Sequence, residues 1–140
     1  MIAIACDHGG YELKLQLIKY LESKGFEYID FGCNGESVDY PIYAKKVGQA
    51  IQSGECEKGI LVCGTGIGMS IVANKMKDVR CALCSDCFSA EMTRLHNNTN
   101  VIALGGRVVG PELAVKMVDI FLNTPFSNAE RHIRRIEMME

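Results

Sequence analysis

The chain has 140 residues carrying 15 Lys and Arg against 17 Asp and Glu, which suits one domain, residues 1–140, around a single core. With 48% apolar residues, 23% charged residues and a net charge of -2, it is neither disordered nor built to bind nucleic acid or an anionic membrane electrostatically. Its longest apolar runs, such as Ile2 to Cys6, fall far short of the roughly 20 residues of a membrane span. That run is also too short for a secretory leader, so a cytoplasmic protein is expected.

The element order follows from apolar periodicity. Ile2-Ala3-Ile4-Ala5-Cys6 does not alternate with polar residues and predicts a strand buried on both faces. From Tyr11 to Lys24, Leu13, Leu17 and Leu21 recur on one helical face, and Gly25 stops the helix. Tyr28 to Phe31 predicts the second strand, followed by a turn at Gly32, Asn34 and Gly35 and a helix from about Pro41 to Ser53. Gly59 to Cys63 predicts the third strand, which runs into Gly64-Thr65-Gly66-Ile67-Gly68 before a helix beginning near Met69. Cys81 to Cys84 predicts the fourth strand, Phe88 to Leu95 a helix, and Val101 to Leu104 the fifth strand. Pro111 opens a helix with Leu113, Met117 and Phe121 on one face. Glu130 to Met138 predicts a short basic helix at the C-terminus.

Five strands alternating with helices imply an α/β fold: a single Rossmann-like three-layer domain with a five-stranded parallel sheet, plus a C-terminal helix. Sites in such sheets lie beyond the carboxyl ends of the strands, so the loops after the first and third strands come first. The seven cysteines are odd in number and several sit inside apolar runs, which predicts free thiols in a reducing compartment. Cys81, Cys84 and Cys87 have no second ligand pair at a suitable spacing, so no metal is expected.

Asp7-His8-Gly9-Gly10 follows the first strand. The acid, the imidazole and two glycines there can hold a polar ligand close to the backbone; the plain alternative is that Asp7 caps a helix and His8 faces solvent. The segment Cys63-Gly64-Thr65-Gly66-Ile67-Gly68-Met69-Ser70 is more informative. Its glycines and the helix that follows form an anion hole for a phosphate, a carboxylate or a developing enolate. It matches neither the P-loop nor the dinucleotide fingerprint, which disfavours a nucleotide. The same field favours the thiolate of Cys63, against the alternative of a strand-end core cysteine. Arg131 and Arg135 stand at i, i+4, a natural clamp for phosphate, unless the tail helix is only a solvated basic face. Arg107 follows the fifth strand and so lies on the functional rim. Tyr40 either lines the pocket or packs beside the second helix.

These blocks, with Ser37-Val38-Asp39-Tyr40-Pro41, Asn74-Lys75, His96-Asn97-Asn98-Thr99-Asn100-Val101 and Arg131-His132, occur in one order along the whole chain. In that order the chain resembles the type B ribose-5-phosphate isomerases, within the group that also holds galactose-6-phosphate isomerase subunits. The resemblance implies aldose–ketose isomerisation of ribose 5-phosphate and ribulose 5-phosphate through an enediol, with no metal and no cofactor. It implies Cys63 as the base between C1 and C2, with Thr65 beside it in the catalytic set, and His96 opening the furanose ring with help from Asp7. The backbone from Gly64 through Gly66 and Ile67 to Gly68 would hold the enediolate. His8, Tyr40, Asn97, Arg107, Arg131 and Arg135 would bind the substrate and its phosphate. Ser127-Asn128-Ala129-Glu130 departs from the family pattern, which has two glycines there. The galactose-6-phosphate subunits tend to lack the full Cys and His set, whereas this chain keeps both, which favours the five-carbon sugar over allose 6-phosphate.

One expectation is topological. His96 precedes the fifth strand and belongs at the amino edge of the sheet, whereas Cys63 belongs at the carboxyl edge, a strand length or about 15 Å or more away. A partner subunit is therefore expected to complete the site, in a homodimer or a pair of dimers. Two other classes compete: a phosphosugar-binding regulator, which needs neither Cys63 nor His96, and a redox protein, which wants a CxxC pair at a strand-to-helix turn.

Overall fold

The computed structural model describes residues 1–140. Five strands, β1 (Ile2–Cys6), β2 (Tyr28–Asp30), β3 (Lys58–Cys63), β4 (Cys81–Leu83) and β5 (Val101–Gly105), form one parallel sheet in the order β2-β1-β3-β5-β4. Six helices accompany them: α1 (Tyr11–Ser23), α2 (Tyr40–Gln52), α3 (Ile67–Asn74), α4 (Cys87–Asn97), α5 (Pro111–Asn123) and α6 (Glu130–Met139). β1, β5 and β3 beyond Lys58 are buried along their length because both of their faces are covered.

Right-handed crossovers decide which face each helix covers. The chain moves one way from β1 to β2 and from β4 to β5, which puts α1 and α4 on one face. It moves the other way from β2 to β3 and from β3 to β4, which puts α2 and α3 on the opposite face. Two cores result. One gathers Leu13, Leu17 and Leu21 of α1 with Met117, Val118 and Phe121 of α5. The other gathers Ala44 and Val47 of α2 with Met69 and Ala73 of α3. The helices diverge between β1 and β3, and that is where a crevice opens at the carboxyl ends of the strands.

The predicted three-layer architecture, strand order of appearance and C-terminal helix all stand. The differences are local. α3 begins at Ile67 rather than near Met69, β4 ends before Cys84, and β5 continues to Gly105. The predicted apolar face of α5 is rotated: Met117 and Phe121 are buried, but Leu113 is 38% exposed, and Ala114, Val118 and Leu122 complete the inner stripe. Ala114 is fully buried where Leu113 was expected to be.

Lys14 is the one fully buried cation. Its Nζ reaches Asp30 Oδ1 at 2.8 Å and Oδ2 at 3.0 Å, and donates to the Cys33 carbonyl at 2.6 Å. The pair fastens α1 to the end of β2 and the segment that follows it. Asp30 keeps 31% of its side chain in water, so the pair contributes less than an enclosed one. Asp30→Ala leaves the ammonium buried with a single acceptor and is expected to cost about 1–3 kcal/mol, more than Lys14→Met, which removes the charge itself. Urea titrations of the two variants check this, and a larger loss in Lys14→Met would contradict it.

Candidate active site

Three strand ends converge at the crevice. At the end of β1, Asp7 Oδ1 accepts the N–H groups of Gly9 at 2.8 Å and Gly10 at 3.2 Å and holds a single 3-10 turn over His8–Gly10. No protein group donates to Asp7 Oδ2. His8 is exposed, and its Nδ1 accepts the Val38 N–H at 3.4 Å, which ties this turn to the segment before α2.

At the end of β3 the chain turns sharply. Gly66 has φ 80°, the left-handed region that a side chain would resist, and its N–H donates to Cys63 Sγ at 3.0 Å. The Ile67 N–H is taken by Thr65 Oγ1 at 3.2 Å. The N–H groups of Gly64 and Thr65 have no acceptor within the chain. They lie beside the thiol at the entry to α3, where the helix adds its positive end. Tyr40 opens α2 and lays its ring over Gly68, so closely that a Cβ there would run into it. Tyr40 therefore lines the crevice as well as packing on the loop.

The turn after β5 is stitched to the same loop. Gly106 N–H donates to the Cys63 carbonyl at 2.8 Å and Arg107 N–H to the Gly64 carbonyl at 3.0 Å. Arg107 Nη1 comes within 3.2 Å of the point where a Cβ on Gly64 would sit. Asp7, His8, Tyr40, Cys63 to Gly68 and Arg107 thus share one rim.

His96, Asn97, Arg131 and Arg135 do not join them. They line a separate cleft of about 350 Å³, together with His132 and Met139. It lies at the other end of the sheet: β5 begins at Val101, just after the His96 turn, and reaches the Cys63 side only at Gly105. That strand rises about 13 Å. The expected separation of Cys63 from His96 is therefore present in the subunit.

The turn at His96 is held firmly. Asn98 sits at φ 45° and ends α4. Arg80 donates to the carbonyls of Asn97 and Asn98, each at 3.1 Å, and pairs with Glu140 at 2.7 Å. Arg94, which is buried, donates to Asn98 Oδ1 at 3.0 Å and to the Thr99 carbonyl at 2.5 Å. The His132 ring packs 4.4 Å from the His96 ring, centre to centre, and its Nδ1 meets Ser127 Oγ at 2.7 Å.

The Ribose/Galactose Isomerase family profile matches residues 2–139. The chain belongs to that family. It is 47% identical to ribose-5-phosphate isomerase B of Escherichia coli over 97% of this chain and 91% of that protein. A ribose 5-phosphate isomerase of Thermotoga maritima superposes with a TM-score of 0.96 at 52% identity, covering 99% of this chain and 95% of that one. The family also holds a D-erythrulose-4-phosphate isomerase of Pectobacterium atrosepticum, 45% identical over 89% of this chain and 84% of that protein. The resemblance drawn from the sequence blocks is thereby confirmed at the level of the family.

Sequence reasoning named His132 only within the Arg131-His132 block and gave it no role, and it missed Met139 and the two arginines behind the His96 turn. For His132 a signal existed. Ala129, His132 and Ile136 recur with helical spacing, so the histidine falls on the inner stripe of α6 rather than with Arg131 and Arg135. Burial lowers the His132 pKa below its usual 6.5, and Arg131, His96 and Arg135 push it the same way. The unfolded chain takes up that proton near 6.5 while the folded chain resists it, so stability present above that pH is lost as pH falls through it. Between about pH 7.5 and about pH 5.5 the urea midpoint is expected to fall less in His132→Gln than in the parent. Equal falls would show that His132 carries none of the dependence.

Proposed function

We propose that the protein interconverts ribose 5-phosphate and ribulose 5-phosphate through an enediol, with Cys63 as the base and His96 as the group that opens the ring. The observation that carries this reading is the thiol of Cys63 beside the two unpaired amides of Gly64 and Thr65. Moving a proton next to a carbonyl needs a base and donors for the oxygen that becomes negative. Both occur within three residues of one loop.

The chemistry runs in two stages. Ring opening breaks the bond between C1 and the ring oxygen: His96 gives a proton to that oxygen while Asp7 Oδ2 takes the proton of the C1 hydroxyl. The Cys63 thiolate then removes the C2 proton, the loop amides and Thr65 hold the enediolate while the O2 hydroxyl proton passes to O1, and the thiol returns a proton to C1. Tyr40, Ile67 and Gly68 bound the sugar. His8, Asn97, Arg107, Arg131 and Arg135 bind its polar end, and the phosphate supplies binding energy remote from the reacting carbons. No metal or cofactor enters this scheme.

The two halves meet when a second copy brings its His96 cleft to the Cys63 rim, so the working unit is a homodimer, alone or paired with another. Ile67, Ile71, Leu83 and Phe88, 45% to 71% exposed beside the glycine loop, support this reading as an apolar surface that an isolated subunit leaves in water. No helix is long and apolar enough to cross a membrane, which agrees with work in the cytoplasm on a dissolved phosphosugar.

NMR of ribose 5-phosphate in D₂O tests the chemistry. The protein is expected to form ribulose 5-phosphate with solvent deuterium at the exchanged carbon. Cys63→Ser should lose roughly a thousandfold or more in turnover because a hydroxyl is a far weaker base. Normal turnover in that variant would remove Cys63 from its role. Erythrulose 4-phosphate and allose 6-phosphate in the same assay rank the sugar lengths.

Subunit mixing tests the shared site. Equal amounts of Cys63→Ala and His96→Ala chains, each inactive alone, should recover about a quarter of parental activity after random exchange, because half the dimers then hold one intact site. No recovery after demonstrated exchange would place both residues in one subunit.

A further inference from the structure

We propose that Ser127 and His132 are a positioning pair that holds the His96 imidazole for ring opening and closure. The inference rests on the reading of His96 given above. His96 is exposed at the last turn of its helix, where an imidazole ordinarily samples several rotamers. One neighbour limits it: the His132 ring, 4.4 Å away. His132 is itself fixed, being 6% exposed and bonded through Nδ1 to Ser127 Oγ at 2.7 Å.

Ser127 is placed to act on both sides of the cleft. Its N–H donates to the Leu95 carbonyl at 3.3 Å, in the turn of α4 that carries His96. Its Oγ accepts the Ala129 N–H at 3.2 Å, at the start of α6. The same hydroxyl shares a hydrogen with His132 Nδ1, as donor or as acceptor according to the ring's tautomer. A single serine therefore joins the helix that bears His96 to the ring that packs on it. Asn128, at φ 58°, makes the turn that brings this serine into reach.

A positioning residue for one stage of a reaction should be separable from the other stage. Ribulose 5-phosphate is acyclic, because its C5 oxygen carries the phosphate. Deuterium entering C1 from D₂O needs only the enediol, whereas net formation of ribose 5-phosphate also needs ring closure. Both are read in one NMR experiment. In Ser127→Ala, formation of ribose 5-phosphate is expected to fall roughly tenfold relative to C1 exchange, the scale of a modest misplacement of a reacting group. Ser127→Thr keeps the hydroxyl and should restore the parental ratio. His132→Phe keeps a packed ring without Nδ1 and should behave like Ser127→Ala.

Ser127 is exposed, so its substitution leaves the core intact and the test does not depend on the buried His132 variant. An unchanged ratio in Ser127→Ala, whether both rates fall together or neither falls, overturns the proposal and leaves the isomerase standing. Absence of both exchange and conversion in the parental protein would overturn the isomerase reading itself.

Discussion

The pairing of β3 between β1 and β5 is the constraint on which the rest of the molecule depends. Its register sets Val62 beside Cys6 and Cys63 beside Gly105. Asp7 and the turn at Arg107 therefore reach the level of the thiol without any side chain having to steer them there. A shift of one residue would reverse which face each β3 side chain occupies. It would also break the backbone bonds from Gly106 and Arg107 to the loop. Because β3 is buried on both faces, such a slip would drag its whole apolar set out of place, and the rigidity of the core passes directly to the loop.

The same sheet that gathers one half of the site excludes the other. Parallel strands put all strand-to-helix turns at one edge and all helix-to-strand turns at the opposite edge. His96, at the end of a helix, is committed to the amino edge by topology. No side chain is long enough to bridge the length of a strand. Arg131 and Arg135 follow His96 because α6 docks on α4, so the two arginines and the imidazole travel as one unit. The proposed second subunit would unite the halves, and the apolar residues exposed beside the glycine loop are the surface offered to it.

Much of this was legible in the sequence, for physical reasons that differ between elements. The strands announced themselves because doubly covered strands are continuously apolar, and the glycine loop because left-handed and closely approached backbone demands glycine. The separation of Cys63 from His96 followed from chain direction alone. Leu113 misled because periodicity counts apolar residues without knowing which of two neighbours is buried; Ala114 is the buried one and looks unremarkable in a sequence. Ser127 escaped because its role comes from two long-range partners, Leu95 and His132, which no local pattern links. Lys14 escaped for the same reason, since a lysine in an amphipathic helix reads as solvent-facing until Asp30 and the Cys33 carbonyl are brought to it.

The arginines that were not anticipated show how the cleft is maintained. Asn98 holds a left-handed conformation that costs about 1 kcal/mol or more, and the carbonyls at the end of α4 need donors. Arg80 and Arg94 meet both demands with charge-assisted bonds, and Arg94 also rests 5.8 Å from the Phe121 ring centre, its charge next to the core. Burial, then the charge of Arg80, lowers the Arg94 pKa from its ordinary value, yet a guanidinium remains charged at neutral pH. Lysines would offer fewer donors in a less fixed geometry. Glu140 offsets the charge of Arg80, so Arg94 is the unpaired guanidinium behind a turn whose open side presents His96 and Asn97 to the cleft of Arg131 and Arg135. The side chain that holds the backbone of the turn thus also keeps an unpaired positive charge beside the cleft.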